Sequence, residues 1–230
     1  RKESSAASDV YKRQDSNYAL HLAQQHGHEI SCLVSMKSKN KESYMFQTPG
    51  NDFVNLQAEC LEIPLIHFET QGIKENEIKD MKLALIKAKK EYQIKGVVTG
   101  AIKSAYQAQR VQKVCYELDL ECFNPLWQID EKEFMNSLLQ DNFEIIMLGV
   151  FSYPLTKEWI GKKVDLEMIS KLSELNKKYQ LSCAFEGGEA ETFVINGPNF
   201  KKKIFVEGDI VMDSENAGIL NITRCEVLNK

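Results

Sequence analysis

Three carboxylates fall within six positions in the stretch Glu186-Gly187-Gly188-Glu189-Ala190-Glu191-Thr192-Phe193. Two adjacent glycines let the backbone take positive φ or approach a ligand closely. If the segment after them is extended, Glu189 and Glu191 share a face, because side chains alternate along a strand. A turn that gathers carboxylates in this way suits a cation, a metal-bound phosphate or an ammonium-like group. The same stretch also fits a solvated hairpin tip, which more commonly carries one charge than three.

Positioning such a turn falls to an α/β chain of 230 residues, enough for one large domain or two small ones. A hydrophobic fraction of 43% can fill a sizeable core. The net charge of −4 argues against a general nucleic-acid binder, and no direct nucleic-acid contact is expected. No apolar run reaches the length of a membrane span, so no membrane partner is expected either. The six cysteines are scattered singly, without the CxxC pairs of a zinc or redox site. That usage fits a reducing, cytoplasmic compartment, and no protein metal site is predicted.

The first half alternates helix and strand. Helices are predicted at 15–26, 51–61, 73–92 and 103–118, and strands at 30–36, 64–68, 96–99 and 121–123. Continuous apolar strands between amphipathic helices imply a parallel sheet covered on both faces. The second half changes character near Asp130. Helices are predicted at 131–140 and 166–179, and strands at 144–150, 193–196, 203–212 and 218–228, the last two antiparallel. The domains are therefore expected at 15–128 and, as a smaller α+β domain, at 129–230.

Residues 1–14 are set outside this scheme as a non-native segment. The string from Ser4 to Gln14 resembles a translated transposase sequencing adapter and has neither apolar periodicity nor a signal-peptide core. A gap or a poorly ordered segment is expected where the first strand should lie.

In parallel α/β sheets, ligands sit beyond the carboxyl ends of the strands. Asp15 and Ser16 open the first helix there, and a helix N-terminus favours phosphate. Gly100, just past the strand of Val97 and Val98, and the loop Tyr44-Met45-Phe46-Gln47-Thr48-Pro49-Gly50 lie on the same edge.

With these pieces in place, the chain resembles the diphthine–ammonia ligase family, a branch of the PP-loop ATP pyrophosphatases. The matching motifs are Asp15-Ser16-Asn17-Tyr18-Ala19-Leu20, Tyr44-Met45-Phe46, Gly100-Ala101-Ile102, Ser104 with Tyr106-Gln107 and Arg110-Val111, Pro125-Leu126-Trp127, and Glu186-Gly187-Gly188-Glu189 with Glu191-Thr192-Phe193. They run over essentially all of Asp15 to Lys230. Two departures stand out. The family's Ser-Gly-Gly-Lys before Asp-Ser is replaced by Tyr11-Lys12-Arg13-Gln14, and Gln47 stands where the family usually has His.

The resemblance implies ATP-dependent amidation of diphthine, a modified histidine on translation elongation factor two, to diphthamide. The carboxylate would be adenylated with release of pyrophosphate, and ammonia, supplied as ammonium, would displace AMP. ATP and Mg²⁺ are the implied cofactors. Such chemistry needs no protein nucleophile; positioning and charge stabilisation carry it. Glu186, Glu189, Glu191 and Arg110 are then the catalytic candidates. Asp15, Ser16, Gly100 and Lys103 would bind the nucleotide. Gly187, Gly188, Thr192, Tyr106, Gln107 and Trp127 would bind the substrate. Diphthine carries a trimethylammonium group, which carboxylates and aromatic faces attract; Trp127 and Phe193 are the nearest motif aromatics. The alternatives are a PP-loop enzyme acting on another substrate, such as tRNA, and a non-catalytic nucleotide-binding module. With Tyr11 to Gln14 crowding the pyrophosphate, the chain as it stands is expected to bind ATP weakly or not at all, and the incomplete loop puts its activity in question.

Overall fold

A computed structural model of the protein describes residues 4–8, 13–38, 53–71 and 76–230. The chain divides into two compact units, Arg1–Trp127 and Gln128–Lys230.

The first unit contains β1 (Ser4–Ser8), α1 (Gln14–Gln25), β2 (Glu29–Ser38), α2 (Val54–Leu61), β3 (Leu65–Thr70), α3 (Asn76–Tyr92), β4 (Gly96–Val98), α4 (Ala105–Glu117) and β5 (Glu121–Phe123). Its strands form one parallel sheet in the order β3-β2-β1-β4-β5. Alternate residues of β2 show why both faces are covered. Cys32, Val34 and Met36 pack in a core with Met81, Ala84 and Leu85 of α3 and Val111 and Val114 of α4. Leu33, which alternation turns to the opposite face, is also fully buried. Gly27, at φ +89°, ends α1 in the left-handed conformation that suits glycine.

One expectation is overturned here. The slot for the first strand is not a gap: Ser4–Ser8 runs through the middle of the sheet. Ser4 aligns with Glu29 and Ser8 with Val34 on one side. Ser5 aligns with Gly96 and Ala7 with Val98 on the other. Strand pairing uses backbone N–H and C=O groups, which a Ser/Ala segment supplies as fully as an apolar one. A search for apolar runs is blind to such a strand. Gln14, assigned to the excluded segment, is the first residue of α1 and is buried.

The second unit contains α5 (Glu131–Gln140), β6 (Glu144–Val150), α6 (Leu166–Tyr179), β7 (Ala190–Asn196), β8 (Lys202–Ser214) and β9 (Ala217–Asn229). Its strands form an antiparallel sheet ordered β7-β6-β9-β8. Both helices start on an aspartate. Asp130 Oδ1 accepts from Glu133 N at 2.9 Å, and Asp165 Oδ1 accepts from Met168 N at 2.8 Å; each satisfies an N–H that the helix itself cannot. Phe134, Leu138, Ile145, Leu172 and Phe193 are fully buried in this unit's core. At the start of β6, Glu144 accepts from Asn196 Nδ2 at 2.8 Å and pairs with Lys163. These two donors, Asn196 first, hold its carboxyl below the usual glutamate range.

Candidate active site

In the first unit, the order of strands reverses at β1, so the crevice of a doubly wound sheet lies between the ends of β1 and β4. The N-terminus of α1 and Gly100 follow these two strands. Asp15 Oδ1 accepts from Ser16 N at 2.8 Å, and Arg13 O accepts from Asn17 N at 3.2 Å and Nδ2 at 2.9 Å. A β-carbon added to Gly100 would lie 2.7 Å from Asp15 C, 2.8 Å from Ser16 N and 2.9 Å from Asp15 O. The Gly100 backbone is thus seated on the first peptide groups of α1, and any side chain there would force that backbone to shift. Asp15, Ser16 and Gly100 are brought together as their spacing implied.

Lys103 departs from expectation. It is exposed and lies ahead of α4, not on it, because Ser104 caps that helix through Oγ, which accepts from Gln107 N at 3.3 Å. A serine that can cap a helix marks its boundary better than the amphipathic pattern does. Tyr106, Gln107 and Arg110 follow on α4, all half-buried. The Arg110 guanidinium carbon is 3.3 Å from the Tyr106 ring centroid, and Nη1 donates to Tyr106 O at 3.3 Å. The spacing of four residues stacks cation on ring at one helix face. Trp127 is 39% exposed, beside the fully buried Leu126, which leaves indole surface available to a ligand. The loop from Tyr44 to Gly50, with Gln47, lies outside the described residues.

In the second unit, the carboxylate turn separates the three glutamates. Glu191 is not on a shared outer face with Glu189: it stands inside β7, opposite Gly149, and is 3% exposed. Thr192 and Phe193 are buried beside it, so Phe193 cannot offer a face to a cation and Thr192 is closed to a substrate. Every residue of β7 from Ala190 to Ile195 is buried, which removes the solvent-facing row that alternation assumed. Glu186 and Glu189 remain in the turn, both half-buried.

Local chemistry shapes that turn. Glu189 Oε1 accepts from Ser182 N at 3.0 Å. The Glu189 side chain curls back over Gly187, where a β-carbon would sit 2.7 Å from Oε1 and 2.9 Å from Cδ. A side chain at Gly187 would therefore push the Glu189 carboxylate out of this position, and Gly188 takes a φ of +79° that suits glycine. Glu189 Oε2 is buried without a hydrogen-bond partner. Two residues that the motif did not include complete the turn. Ser182 Oγ accepts from Glu186 N at 3.0 Å and donates to Glu131 Oε2 at 2.8 Å. Glu131 Oε2 also accepts from Ala184 N at 3.4 Å. The sequence shows only a glutamate at the head of α5, where it reads as an ordinary first-turn residue; its burial is visible only in the structure.

Among the described residues, no group of three or more His, Cys, Asp or Glu side chains could hold a metal ion. No helix among them is long and apolar enough to cross a membrane.

Comparison with known proteins gives consistent matches. Residues 10–122 match the diphthamide synthase N-terminal domain, and residues 130–228 the diphthamide synthase C-terminal domain. A mouse protein (Mus musculus) named diphthine–ammonia ligase is 33% identical over 222 residues, covering 88% of this chain and 83% of that protein. A protein of the same name from Schizosaccharomyces pombe is 31% identical over 217 residues, covering 86% of this chain but 36% of that protein. Among solved structures, a predicted subunit of tRNA methyltransferase from Methanocaldococcus jannaschii aligns with a TM-score of 0.41 at 13% identity, over 86% of this chain and 97% of that one.

Proposed function

The chain belongs to the diphthamide synthase family, and from that premise we propose that it amidates diphthine on translation elongation factor two in two ATP-driven steps. In the first, a diphthine carboxylate oxygen attacks the α-phosphorus of ATP and pyrophosphate leaves. In the second, ammonia attacks the acyl carbon, AMP leaves, and the nitrogen loses a proton. Family membership supports diphthamide synthesis by a ligase; the steps and the residues that serve them are this proposal.

The observation that carries the nucleotide half is the seating of Gly100 on the Asp15–Ser16 peptide. It supports a cradle of backbone groups at a helix N-terminus, where the dipole favours phosphate. Arg110, stacked on Tyr106, would offset charge on the leaving pyrophosphate or the acyl-adenylate. Lys103, exposed ahead of α4, would reach the phosphates as a mobile point charge. Mg²⁺, which usually binds through substrate phosphates and at most a couple of carboxylates, would enter with the nucleotide and neutralise pyrophosphate charge.

On the substrate side, the roles narrow to Glu186 and Glu189, with Gly187 and Gly188 shaping their turn. One would attract the trimethylammonium group or take the proton from incoming ammonium. In the first unit, Trp127 exposes ring surface of the kind that attracts a quaternary ammonium. Glu191 and Thr192 would serve by packing beneath the turn. A reaction on a translation factor would take place in the cytoplasm.

Pyrophosphate release from ATP is the test, measured with ammonium and diphthine-bearing elongation factor on two chains. One is the chain as it stands, and the other carries Ser, Gly, Gly and Lys at positions 11–14. Release that needs both ammonium and the modified factor is expected from the second. Release indifferent to either would overturn the proposal.

A further inference from the structure

We infer that Glu131 is a positioning residue for the carboxylate turn, acting through Ser182. This rests on the proposed reading of that turn as the substrate side of the reaction.

Glu131 does not cap its own helix, because Asp130 does so by accepting from Glu133 N. The residue is nonetheless only 8% exposed, and a buried carboxylate is costly unless hydrogen-bonded. The bonds it makes reach 51 residues along the chain, to Ser182 Oγ, and to Ala184 N beyond it. The direction of the relay is fixed by the groups in it. A carboxylate only accepts, so the single hydroxyl proton of Ser182 points to Glu131. The serine lone pairs are then turned to Glu186 N, which donates at 3.0 Å. The same serine gives its own N–H to Glu189 Oε1 at 3.0 Å. One residue thereby fixes the backbone of the first glutamate and the side chain of the second, and Glu131 fixes that residue. Charge-assisted hydrogen bonds of this kind are the stronger ones.

The test combines amide hydrogen exchange with kinetics, on the chain as it stands and on the chain with Ser, Gly, Gly and Lys at positions 11–14. Glu131→Ala is expected to speed exchange of the Ala184 and Glu186 amides by roughly tenfold or more, as expected for lost buried hydrogen bonds. The β6–β7 ladder should keep its protection. Glu131→Gln, whose amide oxygen can still accept from Ser182 Oγ and Ala184 N, should restore slow exchange. In the restored-loop chain, Glu131→Ala and Ser182→Ala should each lower kcat on the order of 100-fold, the cost of misplacing reacting groups by about 1 Å. KM for ATP should be unchanged, and Glu131→Gln should recover most of kcat.

Unchanged exchange in Glu131→Ala would refute the positioning role outright. Faster exchange with undiminished kcat would also refute it, leaving Glu131 a structural residue of the turn. Failure of the restored parent chain to amidate would count against the proposed reaction alone, and the exchange comparison would still decide whether Glu131 holds the turn.

Discussion

Replacing Gly100 by Ala isolates the contact on which the nucleotide half depends. Gly100 lies outside the left-handed region, so alanine can adopt its backbone conformation. On that ground alone the change would stabilise the protein by about 0.4–1 kcal/mol, through a less flexible unfolded chain. The added methyl, however, would meet Asp15 C at 2.7 Å and Ser16 N at 2.8 Å, whereas carbon contacts are comfortable only from about 3.5 Å. These atoms are helix backbone and cannot swing aside, so the N-terminus of α1 must retreat by more than half an ångström. Overpacking of this sort costs about 1–3 kcal/mol, which exceeds the entropic gain. A net loss of about 1–2 kcal/mol should lower the melting temperature by roughly 2–8 °C in a chain of this size. Scanning calorimetry of parent and Gly100→Ala chains measures it directly. A variant that melts at or above the parent would mean that the backbone approach is not tight, and the case for a cradle built on it would fall with it.

Three further outcomes are expected. Glu189→Gln keeps an oxygen for Ser182 N but loses the charge, so amidation by the restored-loop chain should fall on the order of 100-fold or more with its Mg-ATP melting shift intact; equal loss of both would move Glu189 to a nucleotide role. Placing Ser, Gly, Gly and Lys at positions 11–14 should turn a negligible Mg-ATP shift into several degrees, since a ligand at 100 times its Kd stabilises by about 2.7 kcal/mol; a full shift in the unaltered chain would show the loop to be dispensable. Glu144, whose folded-state carboxyl titrates below its ordinary value of 4.5, contributes stability at neutral pH that is lost as pH falls from that value through the lower folded one; Glu144→Gln should flatten this acid limb in a pH series of melting curves, and an unchanged limb would assign it to other groups.

The layout of the chain was largely legible because its helices and most strands carry apolar periodicity. Glu131–Gln140, Glu144–Val150 and Leu166–Tyr179 have the bounds that the pattern gives them. Parallel pairing of β2, β3 and β4 with their neighbours followed from continuous apolar runs. What escaped had no apolar signature. Ser4–Ser8 holds its place by backbone pairing, and the role of Ser182 comes from a partner 51 residues away. Glu191 escaped for the opposite reason. Alternation gives it a face but cannot say that both faces of β7 are covered, so a carboxylate that looked free to act is enclosed.

The position of β1 also bears on synthesis. Its second neighbour arrives late, since Ser5 pairs with Gly96. At ribosomal rates of about 5–20 residues per second, β4 emerges on the order of ten seconds after β1. Until then β1 presents an unpaired edge at what will become the centre of the sheet, for the last few seconds of that interval with β2 and β3 already made. Open edges recruit other chains, most readily when they are long, apolar and rich in β-branched residues. Ser-Ser-Ala-Ala-Ser is short and has none of those features. A strand poor in grip on strangers can wait for its own partner.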